Sequence, residues 1–254
     1  MRRLIYILLL APLLLVTPNM PSQWLIAGPA ANTKVSWKNT NYKYVAGTAS
    51  NSVNGITLPA FTLPLTPGSL EVCTVQLYSG STVSSLVDTG GYAYIDSGAG
   101  AVPFHSSAQY IQVFYLLNTH STASNHPVVT FSSPSKYAGL FCAEFTGNAP
   151  SGVVDVYQSA ANQTTSVSGG ANQLVIPSQN TVVSGDLIWA AWGMSLGYAT
   201  VGTSPNAFTG FGISNMVPLS EYFVQTTAGA IAPTAGDTGT GTEYWSGIMV
   251  AFKP

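Results

Sequence analysis

The chain has 254 residues and is 46% hydrophobic, but only 6% of it is Asp, Glu, Lys or Arg. The apolar share is large enough for a sizeable core and excludes global disorder. Soluble domains average about 25% charged residues, so a surface built from Ser, Thr, Asn, Gln and Gly is polar yet poorly self-repelling, a composition that favours association.

The first residues read as an export signal. Arg2 and Arg3 form a basic start, Leu4–Val16 is an apolar run of 13 residues interrupted by Pro12, and Gly28-Pro29-Ala30 offers small residues before a cut at Ala31. The run falls short of the roughly 20 residues a membrane-spanning helix needs, so the expectation is a signal peptide over 1–30, secretion, and no membrane span afterwards. Without the two arginines, five lysines face nine acids, a formal charge of 5 − 9 = −4. That leaves no basic patch of the kind that binds nucleic acid.

Residues 31–54 are polar and Asn/Thr-rich and are expected to form an extended N-terminal arm. Within it, Val35, Trp37, Tyr42, Tyr44 and Val45 alternate with polar neighbours over short stretches, the pattern of a strand with one buried face. Two placements fit: an assembly arm that adds to a neighbouring copy's sheet, or an edge strand folded back on its own domain. Beyond it, apolar or alternating runs recur near Gly55–Leu63, Leu70–Tyr78, Tyr92–Ile95, Gln109–Leu117, Val128–Ser132, Ala138–Phe145, Val153–Tyr157, Gln173–Ile176, Asp186–Trp192, Tyr222–Thr226 and Glu243–Phe252. They are punctuated by Gly, Pro, Asn and Ser, and none shows a helical period. Val113–Leu117, Leu140–Phe145 and Leu187–Trp192 are apolar on both faces and so predict central strands. Asn118–Pro127 reads as a hairpin loop and 226–242 as a long surface loop. No internal repeat is evident. The pattern predicts one all-β domain over 55–254, an antiparallel sandwich of jelly-roll type.

Cys73 and Cys142 suit an exported protein with one disulfide. Pairing would close a loop of about 70 residues and contribute roughly 4 kcal/mol.

The runs LVDTGGYAYI, IQVFYLLNT, PVVTFSS, GLFCAEFTG with VVDVY behind it, SGDLIWAA and a terminal WSGIMVAFKP resemble a β-sandwich domain found in uncharacterised secreted bacterial proteins. The similarity covers residues 70–254 and lies in strand order and spacing. Those members carry Glu-Tyr-Ser-Gly where this chain has Glu144-Phe145-Thr146-Gly147. The resemblance implies a fold and an extracellular setting, and brings no activity and no catalytic residue.

Several short motifs resemble chemistry. Gly193-Met194-Ser195-Leu196-Gly197 matches a nucleophile elbow, but such an elbow needs a helix behind it and a downstream histidine. His105, His120 and His126 all lie upstream. Asp88-Thr89-Gly90, Asp96-Ser97-Gly98 and Asp237-Thr238-Gly239 match aspartic-protease cores. Eight residues of separation cannot place the first two in equivalent lobes of one site, and they read as turns. His120 and His126 lack a third metal ligand at zinc spacing. Asp237 and Glu243 offer oxygen donors without a complete calcium loop. Glu144 is the acid inside a strongly apolar strand, with no partner legible. Trp37, Trp189, Trp192, Trp245, Tyr92 and Tyr94 are the aromatics available to stack on sugar, although Trp189 and Trp192, three apart in a strand, must point to opposite faces. The expectation is a protein without catalytic residues, cofactor or metal. Its first reading is a self-assembling subunit of an extracellular filament, pilus-like fibre or coat, partnered by copies of itself. Its alternative is a carbohydrate-binding or adhesin module that meets surface glycans.

Overall fold

In the computed structural model, which describes residues 34–46, 52–105, 108–120, 125–167, 170–195, 199–202, 206–211, 219–237 and 243–254, every regular element among those residues is a strand. The signal-peptide expectation for 1–30 lies outside the described residues.

The first half contributes β1 (Ser36–Ala46), β2 (Val53–Thr57), β3 (Leu70–Tyr78), β4 (Val83–Asp88), β5 (Ile95–Asp96), β6 (Val102–Phe104), β7 (Gln109–Leu117), β8 (Pro127–Ser135) and β9 (Tyr137–Thr146). One sheet runs β1-β9-β3-β7, with β5 and β6 end to end along the far edge of β7; a second runs β2-β8-β4. The second half contributes β10 (Val154–Val167), β11 (Gly170–Val175), β12 (Gln179–Asn180), β13 (Asp186–Met194), β14 (Ala199–Val201), β15 (Thr209–Phe211), β16 (Leu219–Gln225), β17 (Ala230–Ile231), β18 (Thr234–Asp237) and β19 (Glu243–Phe252). Its sheets run β10-β19-β13-β16-β15 and β11-β18-β14, with a small β12-β17 pair. Each half therefore has its first, last, third and antepenultimate long strands in one sheet and the remainder in another, which is jelly-roll wiring.

The two halves repeat one another in register as well as in order. Trp37 faces Phe145 and Val154 faces Phe252; Leu70 faces Leu117 and Leu187 faces Val224. The offsets are constant: 154 − 37 and 187 − 70 both give 117, and 252 − 145 and 224 − 117 both give 107. The same bulge interrupts both first strands, between Trp37 and Asn39 and between Val154 and Val156. Leu58 N–H donates to the Pro127 carbonyl at 2.9 Å, and Ile176 N–H to that of Pro233 at 3.0 Å. Gly68 and Gly185, at φ 80° and 93°, make the left-handed entry to the third long strand of each half.

The larger sheets of the halves pack face to face, and each is covered on its other side by its own smaller sheet. Three apolar layers result. The middle one holds Val72, Val113, Phe141, Phe145, Trp189 and Phe252, and Trp189 packs between Phe141 and Phe145 with ring centroids 5.9 and 6.0 Å away. Its indole N–H donates to Thr74 Oγ1 at 3.1 Å across the interface, the partner a buried indole requires. The outer layers are built on Cys73, Val75 and Leu140 in the first half and on Ile188, Trp192 and Met249 in the second. Covered on both faces, β3 and β13 are buried at every position. The packing is reciprocal: β1 of the first half lies by β15 of the second, where Trp37 meets Phe211 at 6.0 Å, and β6 lies against β10. This is the arrangement of an isologous dimer within one chain.

Several expectations are corrected. The N-terminal segment is not a separate arm: Ser36–Ala46 pairs along β9 of its own chain, the in-cis alternative. Val35 is buried in the middle layer, and side chains bolt β1 down. Asn39 donates to the Leu63 carbonyl (2.9 Å), Asn41 to those of Pro59 and Ala60, and Lys43 to that of Thr57 (3.2 Å). Asn118–Pro127 is no hairpin, because β7 and β8 belong to different sheets and the segment crosses between them. The 226–242 stretch contains β17 and β18, and β18 is the buried middle strand of its sheet; its small residues Ala235 and Gly236 suit that crowded place. A repeat that sequence does not display is present in the wiring.

Candidate functional site

Cys73 and Cys142 are direct cross-strand neighbours on β3 and β9 and form the disulfide. Both sulfurs point into the first half's outer layer, with Val75 and Leu140. Glu71 lies near them, but paired sulfurs offer no thiolate to a metal, so this group is not a metal centre.

The motif serine is structural. Ser195 Oγ accepts the Tyr244 N–H at 3.0 Å and Ser195 N–H donates to the Tyr244 carbonyl at 2.9 Å, which closes the end of the β13–β19 ladder. Asp88 and Asp96 are turn residues: Asp88 Oδ1 accepts Tyr92 N–H at 2.9 Å, and Asp96 Oδ1 accepts Gly98 N–H at 2.7 Å. Asp237 ends β18, and the residues that complete its motif lie outside the described set. The Glu243 side chain is also outside it, so the calcium expectation gains no geometry. His120 stacks on Tyr92 with centroids 4.0 Å apart, and the His126 backbone pairs with Thr89.

Among the described side chains six acids are buried: Glu71, Asp88, Glu144, Asp186, Glu221 and Asp237. The partner that sequence could not name for Glu144 is Glu71, directly opposite it on β3. Glu144 accepts Ser69 Oγ–H at 2.8 Å and the Thr66 N–H. Burial pushes Glu71 up to about 8; the Tyr94 hydroxyl draws it back, and the charges of Glu144 and Asp88 add to the rise. Glu71 and Tyr94 face each other in the buried interior of the first half. The raised pKa favours the protonated form of Glu71 at neutral pH. With 0% and 1% exposure, Glu71 and Glu144 are out of a substrate's reach. In the second half, Glu221 accepts Trp192 Nε1–H at 2.9 Å and Gly202 N–H at 3.2 Å, and burial takes it to about 8 despite both bonds. Gly202 fits only as glycine, since a Cβ there would lie 1.6 Å from the Thr234 carbonyl oxygen. Asp186 is raised to about 7 by burial first and then by neighbouring Asp155, with Lys253 opposing.

Of the aromatics singled out for sugar stacking, Trp189, Trp192, Trp245 and Tyr94 are buried, and Trp189 and Trp192 do face different layers. Trp37 is 45% exposed, Tyr42 52% and Tyr92 40%. Because of the bulge at Lys38, Trp37, Thr40, Tyr42 and Tyr44 share one face of β1, opposite Phe145, Ala143, Phe141 and Gly139 of β9. The Trp37 indole N–H donates to the Asn39 carbonyl at 3.2 Å and its ring rests on Phe211, so its orientation is set in advance. Lys34, Lys38 and Lys43 are exposed on the same strand and its lead-in. Val35 and Lys34 line a crevice of about 210 Å³ with Gly185, Val224 and Thr226 of the second half.

The edge backbone of β1 is partly closed. Thr40 N–H donates to Asn39 Oδ1 (3.1 Å) and Tyr42 N–H to Asn41 Oδ1 (2.8 Å); in β10, Ser159 N–H donates likewise to Gln158 Oε1 (2.9 Å). Local amide caps of this kind blunt an edge against strand addition. No described helix is long and apolar enough to cross a membrane. No family model, characterised protein or solved structure matches this chain.

Proposed function

We propose that the protein is an exported, non-catalytic binding module whose outer strand β1 engages surface glycans. One observation carries this reading. The repeat supplies an internal control in which β10 holds the same place, pairing and bulge as β1 with different side chains. Trp37 corresponds to Val154, Tyr42 to Ser159 and Tyr44 to Ala161. The fold therefore accepts small residues here, and the exposed, oriented Trp37 and the exposed Tyr42 exceed what folding asks of them, while Tyr44 packs partly on the middle layer. The solvent-facing rings of Trp37 and Tyr42, on one face of one strand, suit the apolar faces of sugar rings. The test is titration of the full-length protein with soluble polysaccharides, comparing wild type with Trp37→Ala. Binding that Trp37→Ala weakens at least tenfold supports the reading; absence of binding to every glycan overturns it.

Self-assembly into a filament or coat is the second reading. It is favoured by β10, a 14-residue strand that pairs on one side only, in a chain with little charge to hold copies apart. The docking of β1 in cis and the amide caps weigh against the arm-exchange form of it. Light scattering at rising concentration decides it, and a monomer throughout would end it.

A further inference from the structure

Resting on the glycan reading, we propose that the ligand of the β1 edge is an acidic polysaccharide, a chain bearing carboxylate or sulfate groups. The chain carries seven Lys and Arg, and five lie beyond residue 3. Three of those five, Lys34, Lys38 and Lys43, fall within ten residues on β1 and its lead-in, interleaved with Trp37, Tyr42 and Tyr44. No acid shares that strand. Glu144, the acid on the paired strand β9, is buried and faces the other way, into the first half's outer layer, where Ser69 and Thr66 donate to it.

Among the described side chains, the acids that reach solvent, Asp96 and Asp155, lie at the opposite edge of the stacked sheets. Asp155 is the bulge residue of β10, and Asp96 sits in β5 just before Gly98, which abuts Tyr157 of β10. The β1 edge thus carries charge of one sign only, while at the β10 edge Lys253, which donates to the Gly152 carbonyl, accompanies Asp155, in a protein whose formal net charge is −2. Charge of one sign at β1 steers an anionic ligand to that edge.

The internal control applies again. At the shared bulge, Lys38 corresponds to Asp155, and farther along Lys43 corresponds to Ala160. The backbone needs the bulge but neither the charge nor its sign. Lys43 uses one of its donors on the Thr57 carbonyl, while Lys34 stands at the mouth of the crevice lined by Val35, Gly185, Val224 and Thr226. At about 210 Å³, this crevice is below the ~300–1,000 Å³ of a site that encloses a whole small molecule. It suits one substituent of a ligand that lies along the edge, with the Lys34 ammonium positioned for that substituent's anionic group.

The experiment uses the full chain and two forms of one polymer, polygalacturonate and its fully methyl-esterified counterpart, with dissociation constants measured at two salt concentrations. The variants are Trp37→Ala, the pair Lys34→Gln/Lys38→Gln, and Tyr157→Ala on β10 as a control, each checked by thermal melting; Trp37→Phe replaces Trp37→Ala if the latter melts early. The expected result is polygalacturonate binding at least tenfold tighter than the ester, weakening as salt rises. The lysine pair should lose about tenfold and flatten the salt dependence, and Tyr157→Ala should change nothing. Equal binding of acid and ester, still lost with Trp37→Ala, would overturn the acidic ligand and leave the glycan reading intact. No binding to either polymer, nor to any other glycan, would overturn both. Tighter binding of single-stranded DNA than of polygalacturonate at matched salt would overturn the proposal by assigning the strip to another class of polyanion.

Discussion

Replacing Glu71 with glutamine isolates the cost of a buried acid. Glu71 is fully buried across from Glu144, with its pKa raised from 4.5 to about 8 by burial first. A carboxyl whose pKa is higher folded than unfolded keeps its proton in the native state and releases it on unfolding. Its contribution is therefore fully present below about pH 4.5, declines as pH rises, and is lost above about pH 8. At about 1.4 kcal/mol per unit, the 3.5-unit difference sets an upper limit of about 5 kcal/mol across that window. Glu221, raised to about 8, and Asp186, raised to about 7, titrate over the same range. The informative quantity is thus the difference between wild type and variant. Urea unfolding at pH 4, 6 and 9 should show wild type losing stability steadily. Glu71→Gln should be close to wild type, or below it, at pH 4 and gain on it by several kcal/mol at pH 9. A difference that does not change with pH would refute the protonated Glu71 and the reasoning from its burial.

Three other outcomes follow from the fold. Cys73→Ala/Cys142→Ala should lower stability by about 4 kcal/mol in denaturant titrations, from the loop the bond closes, while leaving glycan binding intact. Asn39→Ala/Asn41→Ala removes the amides that hold the Leu63, Pro59 and Ala60 carbonyls and cap two edge N–H groups. Of these five bonds the two part-buried ones of Asn39 dominate, so the change should cost about 2 kcal/mol at roughly 1 kcal/mol per net bond, and raise hydrogen exchange over 57–63. Residues 34–148 expressed alone would expose the middle-layer faces of Val72, Val113 and Phe141; sedimentation should find a dimer or aggregate, and a folded monomer would contradict the mutual dependence of the halves.

Much of the fold is legible because strand burial writes itself into composition. Leu140–Phe145 and Leu187–Trp192 are apolar on both faces, and both prove to be central strands covered on two sides. The odd spacing of Trp189 and Trp192 sends them to different layers, and the Asp88 and Asp96 turns follow from short side chains that bond local amides. What stayed hidden depends on register. Alternation tells which face Glu144 occupies, but not that Glu71 stands opposite it, because pairing is set by contacts far apart in sequence. β18 was hidden for another reason: Thr234-Ala235-Gly236-Asp237 has almost no apolar bulk, and it is buried because a crowded middle strand needs little. β1 carried a readable strand pattern, but whether it docked in cis or in trans was decided by Asn39, Asn41 and Lys43 meeting the 57–63 backbone.

The repeat explains why no similarity between the halves is visible and what their differences mean. Positions that match in space carry unlike residues: Glu71 and Ile188, Cys73 and Ala190, Phe114 and Glu221, Glu144 and Ala251. Every one of these faces an outer layer, so each half solved its own interior independently, the first with a disulfide and a carboxyl pair, the second with Trp192 bonded to Glu221. In the middle layer some matched positions agree, Leu70 with Leu187 and Phe145 with Phe252, and others differ, Val72 with Trp189 and Val113 with Ser220. The outer strands face these packing demands only in part: Tyr44 and Val154 pack on the middle layer, while Trp37, Tyr42 and Tyr157 are exposed. At β10, evolution left Val154, Ser159 and Ala161, sufficient for an edge; at β1 the same positions hold Trp37, Tyr42 and Tyr44, with Lys38 where β10 has Asp155. Trp37 rests on Phe211 and Tyr44 packs against the middle layer, but the exposed faces of Trp37, Tyr42 and Lys38 are open to whatever meets that edge from outside.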